Sequence, residues 1–195
     1  MENDSFIVAV DQGTSSSRAF AVAADGSIRA QRTIPLAPHR PGEGLSEYEA
    51  QTLLNSQVEA INALLDDVGP RRVKALAVTS QRSTVVLWDK QTGRAVAPVL
   101  SWEDGRAAAE ADRADISQAD VHAITGLYKT PYFSAPKIAW CLAHLPQAAE
   151  ALQAGRLCAA PVASHLIWHL TKGKTFATDP TLAQRMLLLD IRTQS

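Results

Sequence analysis

The chain has 195 residues, 46% of them hydrophobic and 20% charged, enough to bury a substantial core as a single domain spanning 1–195. Its 19 basic and 20 acidic side chains leave a formal net charge of −1, so no overall field draws it to nucleic acid or an acidic membrane, and a small-molecule partner fits better. Cys141 and Cys158 stand apart in mostly apolar surroundings and form no CxxC pattern, which favours reduced core thiols in a cytoplasmic protein over a disulfide or a metal site.

Met1-Glu2-Asn3-Asp4-Ser5 is acidic and leads straight into Phe6-Ile7-Val8-Ala9-Val10, a run too short for a signal sequence or membrane span, so the Asn3-Asp4-Ser5 sequon is expected to carry no glycan. A second apolar run, Ala19-Phe20-Ala21-Val22, follows Asp11-Gln12-Gly13-Thr14-Ser15-Ser16-Ser17-Arg18. Two short apolar runs joined by glycine and hydroxylated residues predict a β-hairpin, and Gly13 lets its backbone approach a ligand closely. The turn offers backbone N–H groups, four hydroxyls and one guanidinium, a set able to wrap a polyphosphate. Asp11 would repel a phosphate unless Mg²⁺ sat between them, so nucleotide with magnesium fits better than phosphate alone. A polar hairpin loop that binds nothing accounts for the local pattern equally well.

Ala24-Asp25-Gly26-Ser27 then predicts a turn into a third strand over 28–34, so three antiparallel strands open the domain. Pro35, Pro38 and Pro41 interrupt regular structure before Gly42–Glu49, a glycine-punctuated acidic stretch read as a solvated loop. From Glu49 to Asp67, Leu53, Leu54, Val58, Ile61, Leu64 and Leu65 recur at helical spacing, predicting an amphipathic helix over the sheet. Val73–Thr79 reads as a strand whose end carries Ser80-Gln81-Arg82-Ser83-Thr84. Strand ends after a helical crossover commonly take ligands in α/β folds, so Gln81, Arg82 and Ser83 are candidates for a polar substrate. For Arg82, pairing with a structural carboxylate is the alternative.

Val85–Trp88 is a further strand, Asp89–Arg94 closes a hairpin, and Pro98–Asp104 reads as a short strand ending in Trp102, Glu103 and Asp104. An aromatic beside polar groups suits a sugar or polyol, whose C–H faces pack on the ring, although a core tryptophan fits as well. Ala107–Asp120 is expected to be a solvent-facing helix, 135–145 and 162–170 further helices with Trp140 and Trp168 in the core, and Leu187–Asp190 a final strand.

Several separated motifs share one likeness: Asp11–Arg18, Thr79–Thr84, Trp88-Asp89-Lys90, Ser101–Asp104, Thr125-Gly126-Leu127, Pro131–Lys137, Leu166–Thr171 and Thr178–Thr181. In this order and over essentially the whole chain, they resemble the N-terminal part of the FGGY family of carbohydrate kinases, most closely its glycerol kinases. The resemblance implies an actin, hexokinase and Hsp70-like (ribonuclease H-like) α/β domain, with a mixed sheet opening on three antiparallel strands and flanked by helices. It implies ATP and Mg²⁺, with Thr14, Ser15, Ser16 and Arg18 at the nucleotide phosphates and Asp11 near the metal. Arg82, Ser83, Trp102 and Tyr132 would face a polyol or sugar.

This sequence departs from glycerol kinases at Ser83, where they have glutamate, at Leu45, where the family's loop usually has tryptophan, and at Ala163 and His165, where glycerol kinases have aspartate and tryptophan. A serine reaches less far than a carboxylate and bonds more weakly, which leaves room for a longer polyol or a ketose. The family's base, an aspartate in a Gly-Asp-Gln motif, its second glycine-rich nucleotide loop and the FGGY motif itself all lie downstream of the residues given. The isolated chain is therefore expected to be inactive, as the front part of a kinase that is cytoplasmic and compatible with a homo-oligomer. A non-catalytic nucleotide- or sugar-binding module, or half of a split kinase, is the alternative. His165 and His169 have the i, i+4 spacing of zinc ligands, but no glutamate follows His165 and no third ligand is evident, so packing or surface histidines are favoured.

Overall fold

In chain order the strands are β1 (Phe6–Gln12), β2 (Ser16–Ala23), β3 (Ile28–Pro35), β4 (Glu47–Tyr48), β5 (Val73–Ser80), β6 (Val85–Asp89), β7 (Val99–Leu100) and β8 (Leu157–Pro161). The helices are α1 (Ala50–Val68), α2 (Ala108–Arg113), α3 (Gln118–Thr125), α4 (Ser134–His144), α5 (Pro146–Gln153), α6 (Val162–Leu170) and α7 (Pro180–Gln184), with a single 3₁₀ turn at Pro70–Arg72. This computed structural model describes residues 5–194, so the acidic lead and all of the sequon but Ser5 lie outside the described residues. They form two compact units: the chain through Pro38 with Gln51–Gln81, and His39–Ala50 with the chain from Arg82 onward.

In the first unit, alternation decides the sheet. Phe6, Val8 and Val10 of β1 and Ser17, Ala19 and Ala21 of β2 are buried on one face, as a period of two dictates. The order is β3-β2-β1-β5, the first three antiparallel as expected and β5 parallel to β1. The predicted turn forms between β2 and β3: Gly26 sits at φ 80°, its N–H bonds Ala23 O at 2.9 Å, and Asp25 accepts from Ser27. Helix α1 buries Leu53, Gln57, Ala60, Ile61, Leu64 and Val68, one helical stripe. It meets the sheet where Ser56 Oγ lies 2.7 Å from Ser17 Oγ and where Asp67 accepts from Arg32. Leu64 is fully enclosed, so Leu64→Ala is expected to lower stability by about 2–5 kcal/mol in a denaturant titration.

Strand β5 breaks the usual pattern for parallel strands, which are covered on both faces. Most of its residues are exposed, Leu76 among them at 40%, and its outer edge has no strand partner among the described residues. An open apolar edge templates pairing with another chain. The 195-residue chain is accordingly expected to self-associate with rising concentration, and Leu76→Lys to lower its weight-average mass in sedimentation velocity.

In the second unit the order is β4-β7-β6-β8, all antiparallel. Every residue of β6 is buried. Val85 and Leu87 face a core completed by Leu100, Cys141 of α4, Ala148 of α5 and Met186. Alternation turns Trp88 the other way, edge-on to His165 and Trp168 of α6 and to Phe176. Trp140 packs against the first of these cores, with the Arg106 guanidinium 5.0 Å from its ring centre. Both cysteines are free; burial pushes the Cys141 thiol up to about 12, which leaves it inert.

Four segments differ from what their sequence pattern predicts. The segment 107–120 is two helices, broken at Ala114–Ile116 and restarted where Ser117 accepts from Asp120 N–H; it is also not wholly solvent-facing, since Ala107 and Ala111 are buried. Only Val99–Leu100 of 98–104 is strand, because Ser101–Asp104 is a turn closed by Asp104 N–H to Ser101 O. Residues 187–190 form no strand with any of the described residues, and Leu187 takes φ 60°, which extended pairing does not allow. Gly42–Glu49 is not simply solvated, since Glu47–Tyr48 is β4 and Tyr48 is buried.

Candidate functional site

The hairpin between β1 and β2 forms as expected, a three-residue connection over Gly13, Thr14 and Ser15. Gly13 N–H bonds Ser16 O at 3.0 Å, and the buried Gln12 side chain donates to Gly13 O at 2.9 Å. Ser17 Oγ donates to Gln12 Oε1 at 2.6 Å and shares a 2.7 Å hydrogen bond with Ser56. One of the four hydroxyls counted for phosphate is therefore turned inward and braces the turn instead. Ser15 is exposed and Thr14 and Ser16 are half-buried, which keeps the other three at the surface side of the hairpin. A Cβ on Gly13 would meet Ser16 O only at 3.4 Å, so the turn itself does not demand glycine there.

Asp11 and Arg18 are cross-strand partners, and their side chains form an ion pair at 2.5 Å. The residues assigned to metal and to phosphate thus hold each other. Both side chains are substantially exposed, and such a pair contributes at most about 1 kcal/mol. It opens at little cost, releasing a carboxylate and a guanidinium on one edge of the turn.

The second unit holds the other candidates. Arg82 is exposed, and no carboxylate among the described residues pairs with it. Ser83 is 3% exposed at φ 66°, a left-handed conformation costly for a residue with a Cβ, and its hydroxyl is buried with no partner among the described residues. Its carbonyl accepts from Ser134 Oγ at 3.3 Å and from Lys137 Nζ at 3.5 Å. Trp102 N–H bonds Thr84 Oγ1, and its ring lies 5.8 Å from that of Tyr132, tilted by 56°. Ser83, Trp102 and Tyr132 are thereby brought onto one wall.

Sequence reasoning missed what holds this wall. Lys137 is fully buried and donates to Tyr132 O at 2.6 Å; burial lowers its pKa to about 8 against the pull of Asp104. The signal was a lone lysine beside the apolar run Ile138-Ala139-Trp140-Cys141-Leu142. Asp104 is also buried, accepting from Ser46 N–H at 2.7 Å and from Arg106, which reaches Glu47 as well.

The Nε2 atoms of His165 and His169 lie 3.1 Å apart, sharing a hydrogen bond, and the described residues contain no group of three or more potential metal-ligating side chains. Burial pushes His165 down to about 3 and lowers His169 as well, so both are neutral at pH 7. The unfolded chain protonates His165 near 6.5 and the folded one only near 3, so stability falls as pH drops through that window. Replacing the group with an uncharged ring, His165→Phe, is expected to flatten the decline in melting temperature measured from pH 6.5 to pH 4.

The mixed α/β fold is the actin/hexokinase-like one of the sugar kinases. A family model for the FGGY family of carbohydrate kinases, N-terminal domain, matches residues 6–195, and the chain belongs to that family. It is 40% identical to a glycerol kinase of Gluconobacter oxydans over 197 residues, covering 100% of this chain and 38% of that protein. A glycerol kinase of Bradyrhizobium sp. strain BTAi1 is 41% identical, covering 97% of this chain and 39% of its own length. The crystal structure of Plasmodium falciparum glycerol kinase with ADP superposes with a TM-score of 0.87 at 26% identity, over 98% of this chain and 39% of that one. A xylulose kinase from Rhodospirillum rubrum shares the fold, with a TM-score of 0.83 at 22% identity over 96% of this chain and 38% of its own. The chain thus spans under two-fifths of the length of the glycerol kinases it matches.

Proposed function

We propose that the chain is the N-terminal part of a cytoplasmic kinase that transfers the γ-phosphoryl of ATP to a hydroxyl of a polyol or sugar. The observation that carries this reading is the 40% identity to a glycerol kinase over the whole chain. It is supported by a hairpin that offers Thr14, Ser15, Ser16 and the Arg18 guanidinium at one turn. These residues would bond the nucleotide phosphates once Arg18 leaves Asp11. Asp11 supplies a hard carboxylate oxygen of the kind magnesium prefers, and a metal there would neutralise charge on the phosphate oxygens.

On the substrate wall, Arg82 would hold hydroxyls by charge-assisted bonds, while the rings of Trp102 and Tyr132 would cover C–H faces and keep water away from the reacting oxygen. Ser83 would stand where a glutamate meets the substrate in glycerol kinases, with its own hydroxyl buried. Its short, uncharged side chain favours a longer polyol or a ketose over glycerol. Deprotonation of the attacking hydroxyl falls to the aspartate that the family carries downstream, and the products are ADP and a phosphorylated polyol or sugar.

An ATP-dependent assay of the complete kinase over glycerol, longer polyols and ketoses tests this. Phosphorylation of one of these classes is expected, with Arg82→Ala raising KM for the acceptor about tenfold or more, as loss of a hydrogen bond to a charged group does. Arg18→Ala should raise KM for ATP instead. Appreciable turnover by the 195-residue chain alone, or an unchanged acceptor KM in Arg82→Ala, would contradict the assignment.

A further inference from the structure

We propose that Lys137 is a positioning residue of the substrate wall, its ammonium tying the backbones of Ser83 and Tyr132 together so that the Arg82 turn and the Tyr132 ring are presented in one fixed arrangement. This rests on the carbohydrate-kinase reading of that wall. Lys137 touches no solvent, and its ammonium hydrogen-bonds carbonyls: Tyr132 O at 2.6 Å and Ser83 O at 3.5 Å. Taking an ammonium out of water is costly, and a methionine would fill much the same volume without that cost. What the lysine supplies and methionine lacks is donors. They reach two segments about fifty residues apart in sequence, each contributing a candidate substrate contact.

The Ser83 end needs such a hold. Ser83 sits at φ 66°, and a non-glycine residue in the left-handed region is strained and persists only where its surroundings over-determine it. Here Ser134 Oγ and Lys137 Nζ converge on its single carbonyl. At the other end, Tyr132 is 39% exposed and its ring meets Phe133 edge-on at 5.0 Å, so where the ring stands follows from where its backbone is held. The Lys137 ammonium lies 5.9 Å from that ring's centre, within reach of a cation–π attraction, and the ring in turn leans on Trp102.

The same burial makes the hold sensitive to pH. Desolvation brings the Lys137 pKa to about 8. Facing it are the Tyr132 ring and Asp104, which favours the charged form and is itself paired with Arg106 and through it Glu47; Cys141, one turn further along the same helix, stays protonated to about 12. Above pH 8 the ammonium loses a proton, and with it one donor and the charge.

The test uses Lys137→Met and Lys137→Arg in the 195-residue chain, followed by NMR of the Trp102 indole and Tyr132 ring signals, assigned with Trp102→Phe and Tyr132→Phe. Lys137→Met is expected to broaden or shift both signals while Trp88 in the core stays unchanged, and Lys137→Arg, which keeps charge and donors, is expected to restore them. Should Lys137→Met fail to fold, raising the wild type from pH 7 to pH 9 must produce the same change, absent in Lys137→Arg. In the complete kinase, Lys137→Met is expected to raise acceptor KM at least fivefold with kcat and the KM for ATP unchanged. Sharp, unmoved Trp102 and Tyr132 signals in a folded Lys137→Met chain, or an unaltered wild type at pH 9, would overturn the proposal. Those signals are read without substrate, so absence of kinase activity would sink the kinase assignment alone.

Discussion

A carboxylate with no access to water must be paired, and Asp104 is such a group at 1% exposure. Its oxygens accept from the backbone N–H of Ser46 and from both ends of the Arg106 guanidinium, and Arg106 spends its remaining reach on Glu47. Losing one member would strand a buried charge at a cost of about 3–5 kcal/mol. The bonds therefore fix two segments at once. They hold the stretch before α1 against the end of β7, which is how Glu47–Tyr48 becomes a strand, and they fix the turn from Ser101 that presents Trp102.

The two candidate sites differ in how they are held, and the difference matches what each would have to do. The hairpin is braced from inside by Gln12, Ser17 and Ser56, while its outward charges, Asp11 and Arg18, form a pair too exposed to be strong. A rigid frame carrying easily exchanged polar groups suits an anion that arrives and leaves in every cycle. The wall of Ser83, Trp102 and Tyr132 is fixed through buried donors and a tilted ring–ring contact, with Arg82 left exposed. Recognition of hydroxyls depends on donor and acceptor positions within a few tenths of an ångström, and rigidity there sustains discrimination.

Where one periodicity or one residue type governs, the sequence was sufficient. The three opening strands, the Asp25-Gly26 turn, α1, α4 and α6 follow from alternation, glycine chemistry and helical spacing. The misjudged places are those where a distant partner decides. Glu47–Tyr48 carries no strand signal of its own and becomes one because β7 pairs with it; Leu187-Leu188-Leu189 has strand composition and no strand partner among the described residues. The break at Ala114–Ile116 follows an alanine-rich run that favours helix, and the carbonyls of Ala114 and Ile116 accept from Lys129 Nζ, a partner well over a helical turn further along the chain.

The same division runs through the candidate sites. Side chains that project outward, Ser15, Arg18 and Arg82, were legible because exposed polar residues at turns and strand ends have few structural uses. The inward ones were not. Ser17 alternates with Ser16 and Arg18, so its inward direction follows once β2 is known to bury Ala19 and Ala21, but the Ser56 hydroxyl that it meets comes from a helix, 39 residues further on. Lys137 is the harder case. Composition marks it as surface, since lysine is rarely fully buried without a partner, and only the convergence of two backbone carbonyls from separate segments accounts for an ammonium in that place. A buried group bonded to main chain leaves no trace in the identity of its partners, because every residue type offers the same carbonyl.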